Sequence, residues 1–479
     1  MLFCTGEYVL FLAAVVTLYW LTPWRRPRVW LLLVASFVFY ASWNKWLALL
    51  VTATSVADYL IARGMDAVQR PRDRRGLLIA SLVMNLGLLC YFKYTNFFLS
   101  SLYETLNALG ASYTFHSLSI ILPVGISFYT FEAINYTVDV YRGKMRAVRQ
   151  LDYFLLFILF FPHLVAGPIV RAKDFLPQAA RRKRWSWPRV GLGLGLLAVG
   201  AFKKLAIADR MGLFVDPVFA APDQYSTVAC WTAAIAFTLQ VYCDFSGYSD
   251  MALGSAHLLG YKLVINFRMP FLSANISEFW RRWHISLSSW LRDYLFIPLG
   301  GSRHGFWRTQ RNLLITMTLA GLWHGANWQF VVWGLLQGVL LAGHRIFQKL
   351  LEPLKGMREE LATPLGTIVR IALTFASCVV SFVLFRAQSL RAGGDMLARM
   401  FIPADGLRTP LFMHAFWVSV GAVVIGHMFG RYLSASPFVW QRAWRNTPAL
   451  VLGAAAAALI VLALVVRPGA TRAFIYFQF

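Results

Sequence analysis

Two tryptophan-histidine pairs carry the strongest chemical signal in this chain: Trp283-His284 in WRRWHISLSSWLRDYLFIPLGG and Trp323-His324 in LAGLWHGANW. Imidazole is the side chain whose unperturbed pKa lies nearest neutral pH. In an apolar setting it is therefore a candidate proton acceptor, and an ionisable group inside a membrane segment marks a functional position. A histidine hydrogen-bonded in a packed core would leave the same letters, so the surrounding polar residues have to be weighed with it.

Several of those residues are out of place in apolar sequence. In ISFYTFEAINYTVDVYRGK, Glu132, Asn135, Tyr136 and Asp139 fall at i, i+3, i+4 and i+7, one polar stripe of a helix that lipid cannot face. In LQVYCDFSGYSDMALGSAHLLGYK, Asp244 and Asp250 accompany the small residues Gly247, Gly254 and Ser255, and Asp250, Gly254 and His257 stand one turn apart. These acids either hydrogen-bond between helices, pair with an arginine such as Arg268 or Arg281, or hold the histidines. Around His284, Trp280, Trp283 and Trp290 mix with Arg281 and Arg282, a composition suited to a membrane interface. His284 is expected near the cytoplasmic mouth of the cavity that His324 faces. The loop FIPLGGSRHGFWRTQRN adds Gly300-Gly301 and the cations Arg303, Arg308 and Arg311, groups that suit a phosphate or pyrophosphate and equally suit a loop that only orients the chain. Arg282, Arg303 and Arg308 are the candidate phosphate ligands. Glu132, Asn135, Asp139, Asp244, Asp250, Trp323 and Asn327 are candidates for the polar lining of a cavity.

The elements that position these groups must be membrane helices. The 479 residues are 58% hydrophobic and 14% charged, which excludes an ordinary soluble globule. The formal charge of +25 is spread over short loops between apolar runs, as the positive-inside rule requires, so nucleic acid is not the indicated partner. A basic cytoplasmic face also helps to collect a phosphorylated substrate. Cys4, Cys90, Cys230, Cys243 and Cys378 stand singly, indicating neither a disulfide framework nor a metal site. The first apolar stretch lacks a basic lead-in and a cleavage pattern and is expected to be a retained helix.

A span needs about 20 apolar residues. Candidates cover residues 8–24, 29–42, 46–62, 76–92, 118–140, 153–170, 190–208, 227–242, 313–347, 368–385, 412–429 and 449–466. The basic loops at 25–28 and 63–75, set against the non-basic turn at 44–45 and stretch at 94–116, place the N-terminus outside. Simple alternation then fails, because loops 142–149 and 171–184 are both basic with one apolar stretch between them. That stretch is expected to enter and return, breaking at Pro162-His163 and Gly167-Pro168 where protein or a watery cavity covers it. The run 313–347 is too long for one perpendicular span and calls for a tilted helix or a break near residues 321–325, with His324 mid-membrane.

PVGISFYTFEAINYTVDVYRG, FFPHLVAGPIVRAKDFLPQ, DFSGYSDMALGSAHLLG, FWRRWHISLSSWLRDYLFIPLGGSR, LAGLWHGANWQFVVWG and the ending FIYFQF together resemble the membrane-bound O-acyltransferase (MBOAT) family. The likeness is to its bacterial branch of alginate O-acetylation and teichoic-acid D-alanyl transfer proteins, and runs from near Pro123 to the last residue. It implies an all-α polytopic membrane protein forming a single transmembrane domain over residues 1–479. About 11 to 13 transmembrane helices and re-entrant segments would surround a central tunnel. The family pattern places the catalytic histidine on His324 and a second functional histidine on His284.

The implied activity is acetyl transfer from cytoplasmic acetyl-CoA, with no permanently bound cofactor and no metal, to a periplasmic acceptor for O-acetylation of a polysaccharide such as alginate. Implied partners are membrane lipid, a periplasmic SGNH-hydrolase-like acetyltransferase and a polysaccharide export complex, at a bacterial inner membrane. The alternative, a transporter or flippase of an acyl or glycan carrier, would use the same polar stripes and broken helices. It would move substrate without cleaving a thioester. A structural scaffold would tolerate replacement of both histidines. No Gly-x-Ser-x-Gly elbow occurs, so direct transfer is expected over a covalent acyl-enzyme.

Overall fold

The computed structural model describes the chain except residues 2, 113, 166, 409–412, 436–446, 470–471, 473 and 476–479. Of the ending FIYFQF, only Phe474 and Ile475 are described; its last four residues lie outside. Among the described residues every regular element is helical, with one isolated β-bridge between Tyr225 and Leu407. Seven helices among them are long and apolar enough to cross a membrane: Lys45–Ala67, Pro71–Ala108, Trp187–Ala220, Thr227–Leu258, Trp328–Leu351, Pro364–Arg386 and His414–Ser434. Gly6–Leu21 and Val451–Val466 are shorter apolar helices. The chain divides into two compact units, Met1–Gly193 with Ala252–Val264, and Leu194–Met251 with Ile265–Phe479.

The first unit opens with α1 (Gly6–Leu21), α2 (Arg25–Ala41), α3 (Lys45–Ala67), α4 (Pro71–Leu89) and α5 (Thr95–Ala108), followed by α6 (Ile126–Tyr141), α7 (Leu151–Leu159), α8 (Phe161–Leu164) and α9 (Ala172–Ala179). Asn44 caps α3 by accepting from the amides of Trp46 and Leu47, satisfying donors that the first turn leaves open. Where α3 meets α4, the buried carboxylate of Asp58 accepts from Ser81 Oγ at 2.7 Å and Asn85 Nδ2 at 2.9 Å. Such a group is tolerated away from water only when hydrogen-bonded.

Two expectations are corrected in this unit. The span 76–92 is not a helix of those bounds: α4 and α5 are joined by a π-helical turn, Cys90–Tyr94, into one helix of 38 residues, Pro71–Ala108. No proline or turn-forming glycine interrupts it. The apolar run 118–140 is not one helix either, since residues 114–123 carry no regular structure and α6 begins only at Ile126. Gly125 takes φ 75°, and a Cβ there would meet the Leu164 carbonyl oxygen at 2.5 Å. A glycine in the left-handed region, two residues after Pro123, stops the helix from extending backwards.

The second unit takes its helical framework from α10 (Trp187–Phe202) beyond residue 193, α11 (Asp209–Ala220) and the 32-residue α12 (Thr227–Leu258) up to residue 251. After them come the short α13 (Ile276–Arg282) and α14 (Ile285–Leu291), then α15 (Phe306–His324), α16 (Trp328–Leu351), α17 (Lys355–Ala362), α18 (Pro364–Arg386), α19 (Leu390–Phe401), α20 (Met413–Ala435) and α21 (Ala449–Val466). The run 313–347 takes the second of its two options. It breaks at Gly325, which is extended at φ −155° and ψ 146°, and Asn327 caps the next helix. The two arms then pack closely: a Cβ on Gly321 would overlap the Phe330 carbonyl oxygen, and one on Gly334 would overlap that of Met317. Small residues at such a crossing let backbones approach where lipid offers no hydrophobic drive. This hairpin fixes where its own turn, and therefore His324, sits.

Candidate active site

His324 is the last residue of α15, immediately before the break, and is buried. Aromatic rings enclose it: Trp323 at 4.9 Å between centroids, Trp333 of α16 at 5.2 Å and Phe385 of α18 at 5.3 Å. A buried relay ties down the elements behind them. Trp280 Nε1 donates to Gln337 Oε1 at 3.2 Å, and Gln337 Nε2 donates to Ser381 Oγ at 2.9 Å, joining α13, α16 and α18. Such fully satisfied polar contacts fix one arrangement of the helices, because breaking them leaves a buried donor without an acceptor.

His284 links α13 to α14 in a left-handed conformation, φ 42° and ψ 54°, which costs a non-glycine residue free energy and persists only where the surroundings enforce it. The enforcing residue is Asn266. Its carbonyl accepts from the Ile285 amide at 2.9 Å, and its side-chain oxygen accepts from Ser286 Oγ at 2.6 Å. Its amide in turn donates to Ser249 Oγ on α12 at 3.2 Å. The imidazole is fully buried, edge-on to Phe245 at 4.6 Å, and neither ring nitrogen has a hydrogen-bond partner among the described residues. Burial pushes its imidazolium down to about 3, so the ring is neutral at physiological pH, with one nitrogen able to donate and the other to accept. His284 is thus enclosed by protein rather than lodged among solvent-facing arginines.

The indole of Trp323 contacts both imidazoles, at 4.9 Å from His324 and 6.3 Å from His284. The structure therefore gathers His324, His284 and Trp323 around one buried aromatic centre. Asn327, two residues beyond the break, spends its side-chain oxygen on the Trp328 amide at 2.7 Å as a helix cap.

The candidate phosphate ligands differ among themselves. Arg282 is bound to Glu278 at 2.6 Å. The side chains of Arg303 and Arg308 are exposed and make no ion pair or hydrogen bond to another described residue, as cations awaiting an anion would. Arg303 stands in the loop before α15 and Arg308 in its first turn, and the loop is held to the helix by Asn312 Nδ2 donating to the Gly301 carbonyl at 3.0 Å.

The acids of the first unit hold backbone. Glu132 Oε1 accepts from the Val170 amide at 2.8 Å and faces His163 Nδ1 at 3.2 Å, and Asn135 Nδ2 donates to the Val170 carbonyl at 3.0 Å. Asp139 lies 3.6 Å from Lys144. Glu132 and Asn135, two of the four residues of the polar stripe read from the sequence, thus hold the chain that follows α8. In the second unit, the arginines expected to pair with Asp244 and Asp250 do not: Arg268 and Arg281 are exposed. The partners are Lys204, 2.6 Å from Asp244 and 2.7 Å from Asp209, and Lys203, 2.7 Å from Asp250. Both lysines stand on a π-helical turn, Lys203–Ala208, between α10 and α11. The signal was present as two adjacent lysines inside the apolar run 190–208.

The C-terminal segment is a further participant that residue types alone left unplaced. The Ile475 amide donates to Asp244 Oδ2 at 2.8 Å, and Arg472 pairs with Asp216, which also binds Arg386 at 2.8 Å. Phe474 lies 4.3 Å from Tyr248 and 5.8 Å from Phe245, the residue packed on His284. No group of three or more metal-ligating side chains occurs among the described residues.

Comparison with known proteins shows the family. Residues 83–385 match the model of MBOAT, the membrane-bound O-acyltransferase family. The chain is 41% identical over 407 residues to a probable alginate O-acetylase of Azotobacter vinelandii, covering 85% of this chain and 79% of that protein. It is 37% identical over 401 residues to a peptidoglycan O-acetyltransferase of Helicobacter pylori, with 78% and 73% covered. A teichoic acid D-alanyltransferase of Bacillus subtilis is similar at 28% identity over 286 residues, 56% of this chain and 70% of that protein.

Proposed function

The chain belongs to the membrane-bound O-acyltransferase family, and from that premise we propose that it transfers an acetyl group from acetyl-CoA to a hydroxyl acceptor in the O-acetylation of an exopolysaccharide such as alginate. That it is an O-acyltransferase follows from membership and from its O-acetylating relatives. The acetyl group and the polymer rest on the activities of the relatives at 37% and 41% identity. The observation that supports the chemistry is the enclosure of His324 and His284 on one indole, Trp323.

His324 takes the proton of the acceptor hydroxyl as its oxygen bonds to the thioester carbonyl carbon. The tetrahedral intermediate collapses, the carbon-sulfur bond breaks, and the imidazolium returns its proton to the leaving thiolate, giving the ester and free CoA thiol. His284, neutral and bearing one N–H, donates to the developing oxyanion or orients the thioester carbonyl. In a dry enclosure such a donor acts without competing water. Arg303 and Arg308 hold the donor phosphates; Arg282, already paired, has less to offer them.

The donor comes from the cytoplasm. The acceptor, a serine of an SGNH-hydrolase-like periplasmic partner or the polymer hydroxyl itself, comes from the other side of a bacterial inner membrane. The N-terminus is periplasmic, and the enzyme works beside a polysaccharide export complex.

The test is to purify wild type and His324→Ala, supply labelled acetyl-CoA with candidate periplasmic acceptors, and follow CoA release together with label. A positioned base contributes about 10² to 10⁴ in rate, so the variant should be folded and slower by that factor. Unchanged turnover by His324→Ala would remove His324 from the role. Label reaching an acceptor without release of CoA thiol would remove the transfer reaction itself.

A further inference from the structure

A second concave site lies on the second unit, away from the histidine pair. The C-terminal half of α16, α17 and the N-terminal half of α18 frame an open cleft of about 670 Å³. His344 lies sixteen residues beyond the start of α16, roughly 24 Å along the axis at 1.5 Å per residue from the Trp323-His324 turn. Among its lining residues are Leu340, Phe347 and Leu373 on the apolar side and His344, Arg358 and Arg370 on the basic side, with Glu352 as the one acid.

The basic side is not internally satisfied. Arg370 donates through one terminal nitrogen to Thr367 Oγ1 at 3.2 Å, whereas its Nε is buried with no hydrogen-bond partner among the described residues, as is Nε2 of His344. Arg281, Arg345 and Arg370 all act electrostatically on His344, so the field in the cleft is positive. A buried guanidinium nitrogen without an acceptor is costly, and an oxyanion relieves that cost. The rim supplies the complementary half: Phe347 is 46% exposed and Leu373 63% exposed. Both framing long helices, α16 and α18, are of membrane-crossing length and composition, so a hydrocarbon chain reaches the cleft laterally. Arg345, Lys349, Lys355 and Arg358 crowd the same end, the charge pattern of a segment facing an anionic cytoplasmic leaflet.

We propose that this cleft binds an anionic phospholipid, with the phosphate on Arg358 and Arg370 and an acyl chain along Leu340, Phe347 and Leu373. The phosphodiester supplies acceptors for both guanidinium groups, and the chain covers apolar surface that no other part of the described protein covers. The site is independent of the acyl-transfer reading, since none of its residues belongs to the histidine centre.

The test is native mass spectrometry of the full-length protein released from detergent with defined ratios of phosphatidylglycerol and phosphatidylcholine. Three proteins are compared: wild type, the double variant Arg358→Gln/Arg370→Gln, and Leu373→Trp, which fills the cleft and keeps its charge. Wild type should retain phosphatidylglycerol about ten-fold or more over phosphatidylcholine, as two surface arginines provide. The double variant should lose most of that preference, and Leu373→Trp should weaken retention of both lipids. If the double variant fails to fold, Leu373→Trp decides alone. Equal retention of the two lipids by wild type, or unaltered preference in the variants, overturns the proposal. Displacement of phosphatidylglycerol by acetyl-CoA in proportion to its concentration also overturns it, because the cleft would then be a donor site.

Discussion

His284 and His324 differ in what holds them. His324 ends a helix and is walled by Trp323, Trp333 and Phe385, whereas His284 occupies a left-handed linker pinned by Asn266. The burial of His284 has a consequence for stability. Its folded-state imidazolium is depressed to about 3 and its unfolded value lies near 6.5, so between those values the unfolded chain binds more protons. Stability contributed by the neutral ring is full above about pH 6.5 and falls as the medium is acidified toward pH 3. Thermal unfolding of wild type and His284→Gln in detergent from pH 7 to pH 4 should show a steeper loss for wild type. Parallel slopes would mean that His284 titrates normally. The pair itself was legible in the sequence; the unequal surroundings were not, because Phe245, Asn266 and Phe385 come from distant positions and carry no mark of their task.

At the scale of elements, the α15–α16 hairpin does most to place the centre. The excess length of the run 313–347 announced a break or a tilt, and Gly325 with its Asn327 cap makes it a break. Gly321 and Gly334 then allow the two helices to touch backbone to backbone. Gly321→Ala should lower stability by about 1–3 kcal/mol, the usual cost of overpacking, and should slow acyl transfer further because His324 lies three residues along the same helix. A melting temperature and rate equal to those of wild type would show that the crossing has room to spare. Elsewhere, helix boundaries departed from hydropathy for local reasons: a positive φ at Gly125 delayed α6, and the absence of any breaker prolonged α4 into α5.

For the molecule as a whole, buried charge is the organising liability. In the second unit one ammonium, Lys204, is shared by two carboxylates, Asp209 and Asp244, while backbone amides of Arg472 and Ile475 supply further donors to them. Removing one partner of a buried ion pair costs about 3–5 kcal/mol, since the remaining charge is left unpaired. Lys204→Met should therefore destabilise the protein by that order, and adding Asp209→Asn and Asp244→Asn should recover much of it. Chemical denaturation or thermal unfolding of the two variants distinguishes this from a simple packing defect, in which the triple variant would be no better than the single one.

Composition and residue spacing by themselves determined that this is a polytopic membrane protein, which segments carry misplaced polar groups, and which two histidines merit attention. Each of these rests on local chemistry, since hydropathy, helical periodicity and family motifs are properties of neighbouring residues. Only the tertiary structure decided what each polar group faces. It gave Glu132 and Asn135 to the Val170 backbone, Asp244 to Lys204 and Asp250 to Lys203, and it brought Trp323 against both His284 and His324. Those pairings join residues far apart along the chain. The interaction energy of a charge or a ring depends on its neighbours in space, which a sequence orders in only one dimension.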